Sequence, residues 1–563
     1  RDVAPSRGLG DVYKRQIPDL LYPDAARRRE LNNRRIMLND KYPCTYMNDL
    51  MTDNVAGIIS RRNPQNVLKL FRELCTDTEV MNYRLDALED VMGNPKLSPS
   101  VHRIIRTLLD SEHKNISAST PDSFSALGSC VEALDSYIDC MEELHALYGE
   151  IGSNIHSAAF RGLFYSLEER YASNDYNSMK KDIAELKEAF SKKIRSVNIA
   201  INFNEEMKPI SAGITGWSDK PAGEKPNVFD RLFYKSNAFS ETHIMGKLRT
   251  NQPNEDGYVN EADKALFAAM EKITGAYMNR LSAALKSYDR LAFEHVSMLE
   301  DQLEIYDGMA RVIEACNARG IKMCRPKFTD KARYADIKNL FDPCFYFKAA
   351  AANTEAMGDD LVVRNSITMD DEGRFYILTG ANNGGKTTFV RGLGLCFLLA
   401  QTGFYVPAEE CVISTADFIF THFPKEEETG INASRFTTEI KDLKIISDLA
   451  EENSLLLMNE SIQSTTPKEC AEIAEELVRI FCIIGVRGVF ATHITELAGK
   501  CGEISSDPDC RSIPQSIVAD VDETSGKRLY RIRKGMPLKQ SYAADIFRSF
   551  GINAENVRKR VRR

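Results

Sequence analysis

Long apolar runs are missing from this 563-residue sequence. A helix that spans a bilayer needs roughly 18 or more consecutive apolar residues, and the longest stretches here, LGLCFLLA and VRIFCIIGV, are broken by glycine or arginine. An integral membrane protein is therefore not expected. Paired cysteines are missing too. The 13 cysteines are scattered with no Cys-x-x-Cys, which argues against both a disulfide framework and a Cys-rich zinc site, so a reducing cytoplasm is the expected compartment. Nor is there an excess of basic charge: 73 Lys and Arg against 81 Asp and Glu give a net charge of -8. That excludes a uniformly basic nucleic-acid coat and confines any DNA contact to a patch. What remains, 43% hydrophobic and 27% charged residues, is ordinary globular composition. The length predicts about three or four domains.

The chain opens on Arg1, and RDVAPSRGLGDVYKRQ has no secretory layout. It resembles a translated sequencing-adapter tail, so residues 1-16 are set apart from the fold. From Ile17 to about His113, within an expected helical core of residues 17-130, the text is largely helical, with VLKLFRELC and YRLDALEDVM placing apolar residues at three- and four-residue spacings. KNISASTPDSFSALGS reads as a polar boundary. Residues 131-335 continue as helix, interrupted near 197-250. There SVNIAINFN alternates like a strand, and GITGWSDKPAGEKPNVF reads as a turn-laden insertion. The pattern from Glu261 to Ala318 is the longest helix expected, about 87 Å if unbroken at 1.5 Å per residue. It is either an extended arm or a helix buried in a large bundle. From residue 336 to 563 short apolar strands alternate with helices, the mark of an α/β sheet.

The chemistry concentrates there. The buried-strand pattern RFYILTG runs into GANNGGKTT, which opens the helix FVRGLGLCFLLAQTG. Gly380, Gly385, Lys386 and Thr387 satisfy G-x-x-x-x-G-K-[ST] in the strand-to-helix context that a phosphate loop requires. Glycines let main-chain N–H groups curl around phosphates, and the helix start adds partial positive charge. Lys386 can reach the β and γ phosphates of ATP and Thr387 can ligate Mg2+. Ala381, Asn382, Asn383, Gly384 and Thr388 complete the candidate nucleotide-binding loop. A second strand, SLLLMNES, brings Asn459 and Glu460 to its end. Glu460 is placed to orient or deprotonate the attacking water; the plain alternative is a strand-end carboxylate. Asn459 stands where an aspartate is usual and can still accept a bond from a magnesium-bound water, without charge. A third strand, GVFATHITEL, ends at His493, a candidate sensor of the γ phosphate or else a structural histidine.

These phrases, TGANNGGKTTFVR, QTGFYVPAE, LLLMNES and ATHITELA, together resemble the C-terminal ABC-type ATPase domain of the MutS mismatch-repair family. The resemblance covers about Asp336 to Val557, with QSYAADIFRSFGINAENVRKR similar to the family's closing segment. It implies that the Asn382 loop wraps the phosphates, that Glu460 is the Walker B glutamate and that His493 is the histidine of the ATH motif. It also implies that Ser434, in GINASRFTTEI, contacts the γ phosphate held by a partner subunit, although a helix-capping serine is equally open. A homodimer closing on double-stranded DNA follows from the same resemblance, with lever helices upstream and a clamp near Val197 to Arg249. The phrase NESIQSTTPKE departs from the aspartate and Gly-rich segment of the mismatch-repair members proper and resembles a divergent branch. No mismatch-recognition domain is evident; Phe71 and Glu73 spell Phe-x-Glu, but inside an amphipathic helix. The expected fold is thus multidomain: an all-α core, a long-helix lever and clamp region, and an α/β P-loop ATPase domain. Two functions stand open, a nucleotide-gated DNA clamp that hydrolyses ATP slowly and an ATP-switched tether that barely hydrolyses it.

Overall fold

The computed structural model describes residues 19–41, 44–117, 124–191, 196–207, 209–218, 296–381, 383–424, 432–462, 466–522, 528–537 and 558. They fall into two compact units. One holds the described residues of Lys96–Ser153 and Gly162–Glu300; the other holds those of Pro18–Pro95, Asn154–Arg161 and Asp301–Arg563. Among the described residues no helix is long and apolar enough to cross a membrane.

The first unit is built on helices Leu97–Ser117, Phe124–Ile151 and Asn174–Ser191. Val101, Ile104, Ile105 and Leu108 make a buried stripe on the first. Leu134, Ile138, Met141 and Leu144 make one on the second, and Tyr176, Met179 and Ile183 on the third. Spacings of three and four put each set on one helix face, which is why these segments fold as helices and pack as they do. Of the stretch expected as a polar boundary, residues 114–117 and 124–129 are helix and 118–123 lie outside the described residues.

Strands β1 (Ser196–Phe203) and β2 (Pro209–Ser218) then pair antiparallel. The first strand lies where the alternation predicts it. The second corrects the sequence reading: GITGWS, expected to begin a turn-laden insertion, is strand to Ser218. Its backbone groups are taken up by a ladder that sets Ile214 opposite Ile199 and Trp217 opposite Val197. The turn between them carries Glu205 and Glu206, with Ile201, Phe203 and Met207 exposed beside it. The rest of the segment expected as a clamp, residues 219–249, and the expected long helix from 261 to 295 lie outside the described residues. The part of that helix that is described runs Val296–Asn317.

In the second unit, β3 (Lys327–Phe328), β4 (Ala335–Leu340), β5 (Asn365–Met369) and β7 (Glu410–Ile413) form a four-stranded sheet in the order β3-β7-β4-β5. The larger sheet has the order β12-β11-β6-β10-β9-β8. Its strands are β6 (Phe375–Thr379), β8 (Ile419–His422), β9 (Leu455–Asn459), β10 (Arg487–Ala491), β11 (Pro514–Val521) and β12 (Arg528–Lys534). Five run parallel and β12 closes one edge antiparallel. Every residue of β6, β9 and β10 is buried, which explains their largely apolar text, because parallel strands are covered on both faces. Helices Lys386–Thr402 and Pro467–Ile484 contribute to that cover. The second of these helices starts at a capping box, Thr466 with Glu469.

Residues 18–95 belong to this unit because polar side chains tie them to it. Gln401 Nε2 donates to the carbonyl of Cys75 (3.0 Å), Arg34 to that of Asp417 (2.7 Å) and Thr45 Oγ1 to that of Thr421 (3.1 Å). Arg84, fully buried, donates to Thr402 O, Leu21 O and the carboxylate of Glu73. Phe71 and Glu73 are themselves buried, Glu73 accepting from both Arg84 and Tyr22. The Phe-x-Glu spelling is therefore core, although only Phe71 lies in the helix, Pro64–Phe71, and Glu73 sits in the turn that follows it.

Candidate functional site

The site grows from the end of β6. Thr379 closes the strand, and the chain turns through Gly380 (φ 141°) into a loop that ends at Gly385 (φ 90°), from which helix Lys386–Thr402 starts. At these two glycines the backbone takes left-handed values that side chains resist. Space argues the same way: a Cβ on Gly380 would sit 2.8 Å from that of Ala519, and one on Gly384 2.8 Å from the Ala381 carbonyl. The turn is closed by Gly384 N–H donating to Ala381 O (3.1 Å).

Lys386 occupies the first helical turn, only 3% exposed. Its ammonium donates to the carbonyls of Gly380 (3.0 Å) and Ala381 (3.2 Å). Burial pulls its pKa down from 10.5 to about 8, against the opposing pull of the Glu460 carboxylate. A buried cation held by carbonyl oxygens is poised for an anion. One residue on, Thr387 Oγ1 donates to Asn459 Oδ1 (3.0 Å), so the two candidate magnesium ligands meet across the sheet. Asn459 is the last residue of β9 and is buried.

Glu460 follows with φ 51° and Ile462 with φ 63°, values that cost a non-glycine residue about 1–2 kcal/mol each. The turn is pinned at several points. Glu460 N–H donates to Ala491 O on β10 (2.8 Å), its carboxylate accepts from His493 Nε2 (2.8 Å), and Ile462 is buried in the core under the sheet. Because β10 lies between β6 and β9, its end delivers His493 between the phosphate loop and Glu460.

A cavity of about 1200 Å³ opens over these groups. It is lined by Asn383, Gly384, Gly385, Lys386, Thr387, Thr388, Glu460 and His493. The structure thus brings the sequence-expected residues of three strand ends to one place, while Gly380 and Ala381 lie beside it with their carbonyls on Lys386. Asn382 lies outside the described residues, and Ser434 is the third residue of helix Asn432–Leu449, its side chain likewise outside them.

Other lining residues escape the sequence reading: Arg528 and Tyr530 on β12, and Asp360, Leu361 and Val362 before β5. Asn365 joins the two groups, accepting from Ile532 N–H (2.7 Å) and donating to Tyr530 O (3.1 Å). The one sequence signal for them is RLYRIRK, an edge-strand pattern that reads equally well as solvated surface. As a fit for a nucleotide with its metal, the donor set is consistent: a glycine cradle, an under-compensated ammonium, a hydroxyl and an amide oxygen in contact.

Two families of known proteins match parts of this chain. The MutS domain V family matches residues 376–559, and the MutS2 N-terminal domain family matches residues 76–319. The DNA mismatch repair protein MutS of Thermosipho melanesiensis is 30% identical over 282 residues, 49% of this chain and 31% of that protein. The protein of the same name from Thermotoga petrophila is 37% identical over 139 residues, 24% and 17% of the two chains. Endonuclease MutS2 of Thermus thermophilus is 32% identical over 230 residues, 39% and 29%. The chain thus covers less than a third of the length of each of these curated relatives.

Proposed function

Because the chain is a divergent member of the MutS family, we propose that it binds ATP with magnesium over the phosphate loop and hydrolyses it slowly. The observation that carries this reading is the convergence of Lys386, Thr387, Glu460 and His493 on one cavity. Lys386 neutralises phosphate charge, and the triphosphate supplies the counter-charge that its burial lacks. Thr387, by its hydroxyl, and Asn459, by its amide oxygen, are the residues that would hold magnesium, which when bound would supply charge stabilisation at the phosphates. Glu460 takes the proton of the attacking water as the new bond to the γ phosphorus forms and the bond to the ADP oxygen breaks. His493 holds the Glu460 carboxylate in place from 2.8 Å and faces the γ phosphate.

In this reading Asn382 wraps the phosphates and Ser434 reaches the γ phosphate in a second copy, so the working form is a homodimer. Helices within residues 131–335 act as levers and the segment near 197–250 as a clamp on double-stranded DNA, so that nucleotide state opens and closes the arms. Phosphate contacts alone suffice for such a grip. Steady-state phosphate release tests the catalytic half: Glu460→Gln is expected to slow it about 100-fold or more while ATP titration is unchanged. Equal rates near background for both proteins would remove the enzyme. A gel shift on matched, mismatched and branched duplexes, with and without ATP, tests the DNA half.

One observation favours a second reading. The amide of Asn459 meets Thr387 where a carboxylate would add charge, which supports an ATP-switched tether that holds nucleotide and turns it over negligibly.

A further inference from the structure

Next to Glu460, on the side away from the cavity, lies a buried pair that the hydrolytic scheme does not use. His422 is the last residue of β8, the strand beside β9, where it stands opposite Met458. Its Nδ1 lies 2.7 Å from Ser461 Oγ, and Ser461 Oγ donates to the His422 carbonyl at 3.1 Å. His422 is 8% exposed and Ser461 3%. A serine hydroxyl has one hydrogen. The arrangement that satisfies both contacts puts that hydrogen on the His422 carbonyl and the Nδ1 hydrogen on Oγ. Ser461 is thereby gripped from both ends of one residue of the neighbouring strand.

What the grip holds is the turn Glu460–Ser461–Ile462, left-handed at its first and third residues. Such a conformation persists only where its surroundings over-determine it. The Glu460 amide, the Glu460 carboxylate and the Ile462 side chain are each fixed, and Ser461 is the residue between them. We propose that His422 is a positioning residue for Glu460, acting through Ser461: the hydrogen-bonded pair keeps the turn left-handed and so aims the carboxylate at the attacking water. The inference rests on the reading of Glu460 as the base in ATP hydrolysis.

The test uses the full chain and two substitutions at one site. His422→Phe keeps a ring and removes the donor; His422→Asn returns an N–H close to the place of Nδ1. His422→Phe is expected to lower kcat at least ten-fold with the ATP dissociation constant changed less than two-fold, and His422→Asn to recover kcat to within about three-fold of the parent. Packing alone would not produce that recovery. Should His422→Phe fail to fold, Ser461→Ala, which removes the hydroxyl that contacts both Nδ1 and the carbonyl of His422, carries the same expectation for kcat and affinity. A parental kcat in His422→Phe, an equal fall of kcat and affinity, or an Asn variant as slow as the Phe variant would each overturn the proposal.

Should the parent chain itself release no phosphate, the hydrolytic reading fails and the grip is judged by hydrogen exchange of a peptide covering residues 455–462. Faster exchange of the Glu460 amide in His422→Phe but not in His422→Asn sustains the grip; equal exchange in all three refutes it.

Discussion

The two units use charge differently. In the helical unit the ion pairs Lys96–Glu150, Arg103–Glu143 and Lys180–Glu142 join exposed side chains on the outer faces of helices. The other unit also carries exposed pairs, such as Lys444–Asp448 and Lys468–Glu472, but in addition it buries guanidinium groups. Arg84 is entirely buried beside Glu73, Arg391 is largely buried against Asp342, and Arg487 spends its hydrogen bonds on the carbonyls of Tyr334, Ser414 and Thr415. Burial pushes the Arg487 pKa down to about 9, with the ring of Phe397 4.8 Å from its guanidinium. A surface pair contributes little and tolerates change, whereas an interior cation fixes which elements meet and fails badly when its partner is lost. The contrast separates a helical unit whose surface charge is expected to tolerate substitution from a unit whose interior charge is not.

The sharpest way to break this contrast is at Arg84. Its replacement by Met leaves Glu73 buried with only Tyr22 and deprives Thr402 O, at the end of the phosphate-loop helix, of its donor. A loss of about 3–5 kcal/mol in urea unfolding is expected. The double variant Arg84→Met/Glu73→Leu should recover most of it, because removing both charges avoids the stranded carboxylate. If the single variant costs under 1 kcal/mol, interior charge is not what organises this unit.

A second experiment sharpens the account of the site. Asn459→Asp puts a carboxylate against Thr387 and the magnesium water, and is expected to raise phosphate release about ten-fold at low magnesium and less at high magnesium. No change at any magnesium concentration would show that the amide is not what limits turnover.

Much of this site was legible in the sequence, for a physical reason. The loop needs glycines where the backbone turns left-handed at Gly380 and Gly385, and the strands that lead to Asn459 and His493 are largely apolar because both faces are covered. Those demands are local in the chain, so they leave local marks. Tyr530 and Arg528 left none, because an edge strand with alternating basic residues looks like surface until the fold lays it over the loop. His422 and Ser461 are 39 residues apart, and nothing in FTHFP or NESIQ announces that they touch. The same limit explains the helices: their apolar stripes at three and four residues were readable, whereas which unit residues 18–95 join depends on distant carbonyls at Thr402, Asp417 and Thr421. The strand at GITGWS was misread because its glycines suggest turns, and only the partner β1 makes the ladder worthwhile.

A smaller effect concerns protons. In the free protein Lys386 titrates near 8 rather than 10.5. The folded state therefore holds this proton more weakly than the unfolded chain, and between those two pH values unfolding takes the proton up, so apo stability gains from this group as pH rises. A bound triphosphate favours the charged form and reverses the shift. ATP binding at about pH 8.5 is then expected to take up a fraction of a proton, readable by calorimetry in buffers of different ionisation enthalpy and absent in Lys386→Met. Uptake that persists in the variant would assign it to another group.

The smallest effect closes the comparison from the other side. Lys180 pairs with Glu142 across two helices of the first unit, both side chains nearly half exposed. If surface charge there is only trim, Lys180→Met should change stability by less than about 0.5 kcal/mol at physiological salt, because water and ions screen the pair and ordering two long side chains costs entropy. The measurement is the urea midpoint at low and high salt. A loss above about 2 kcal/mol that salt does not abolish would mean that the helical unit is also locked by specific charge pairs, and the division between a tolerant scaffold and an exacting site would fall.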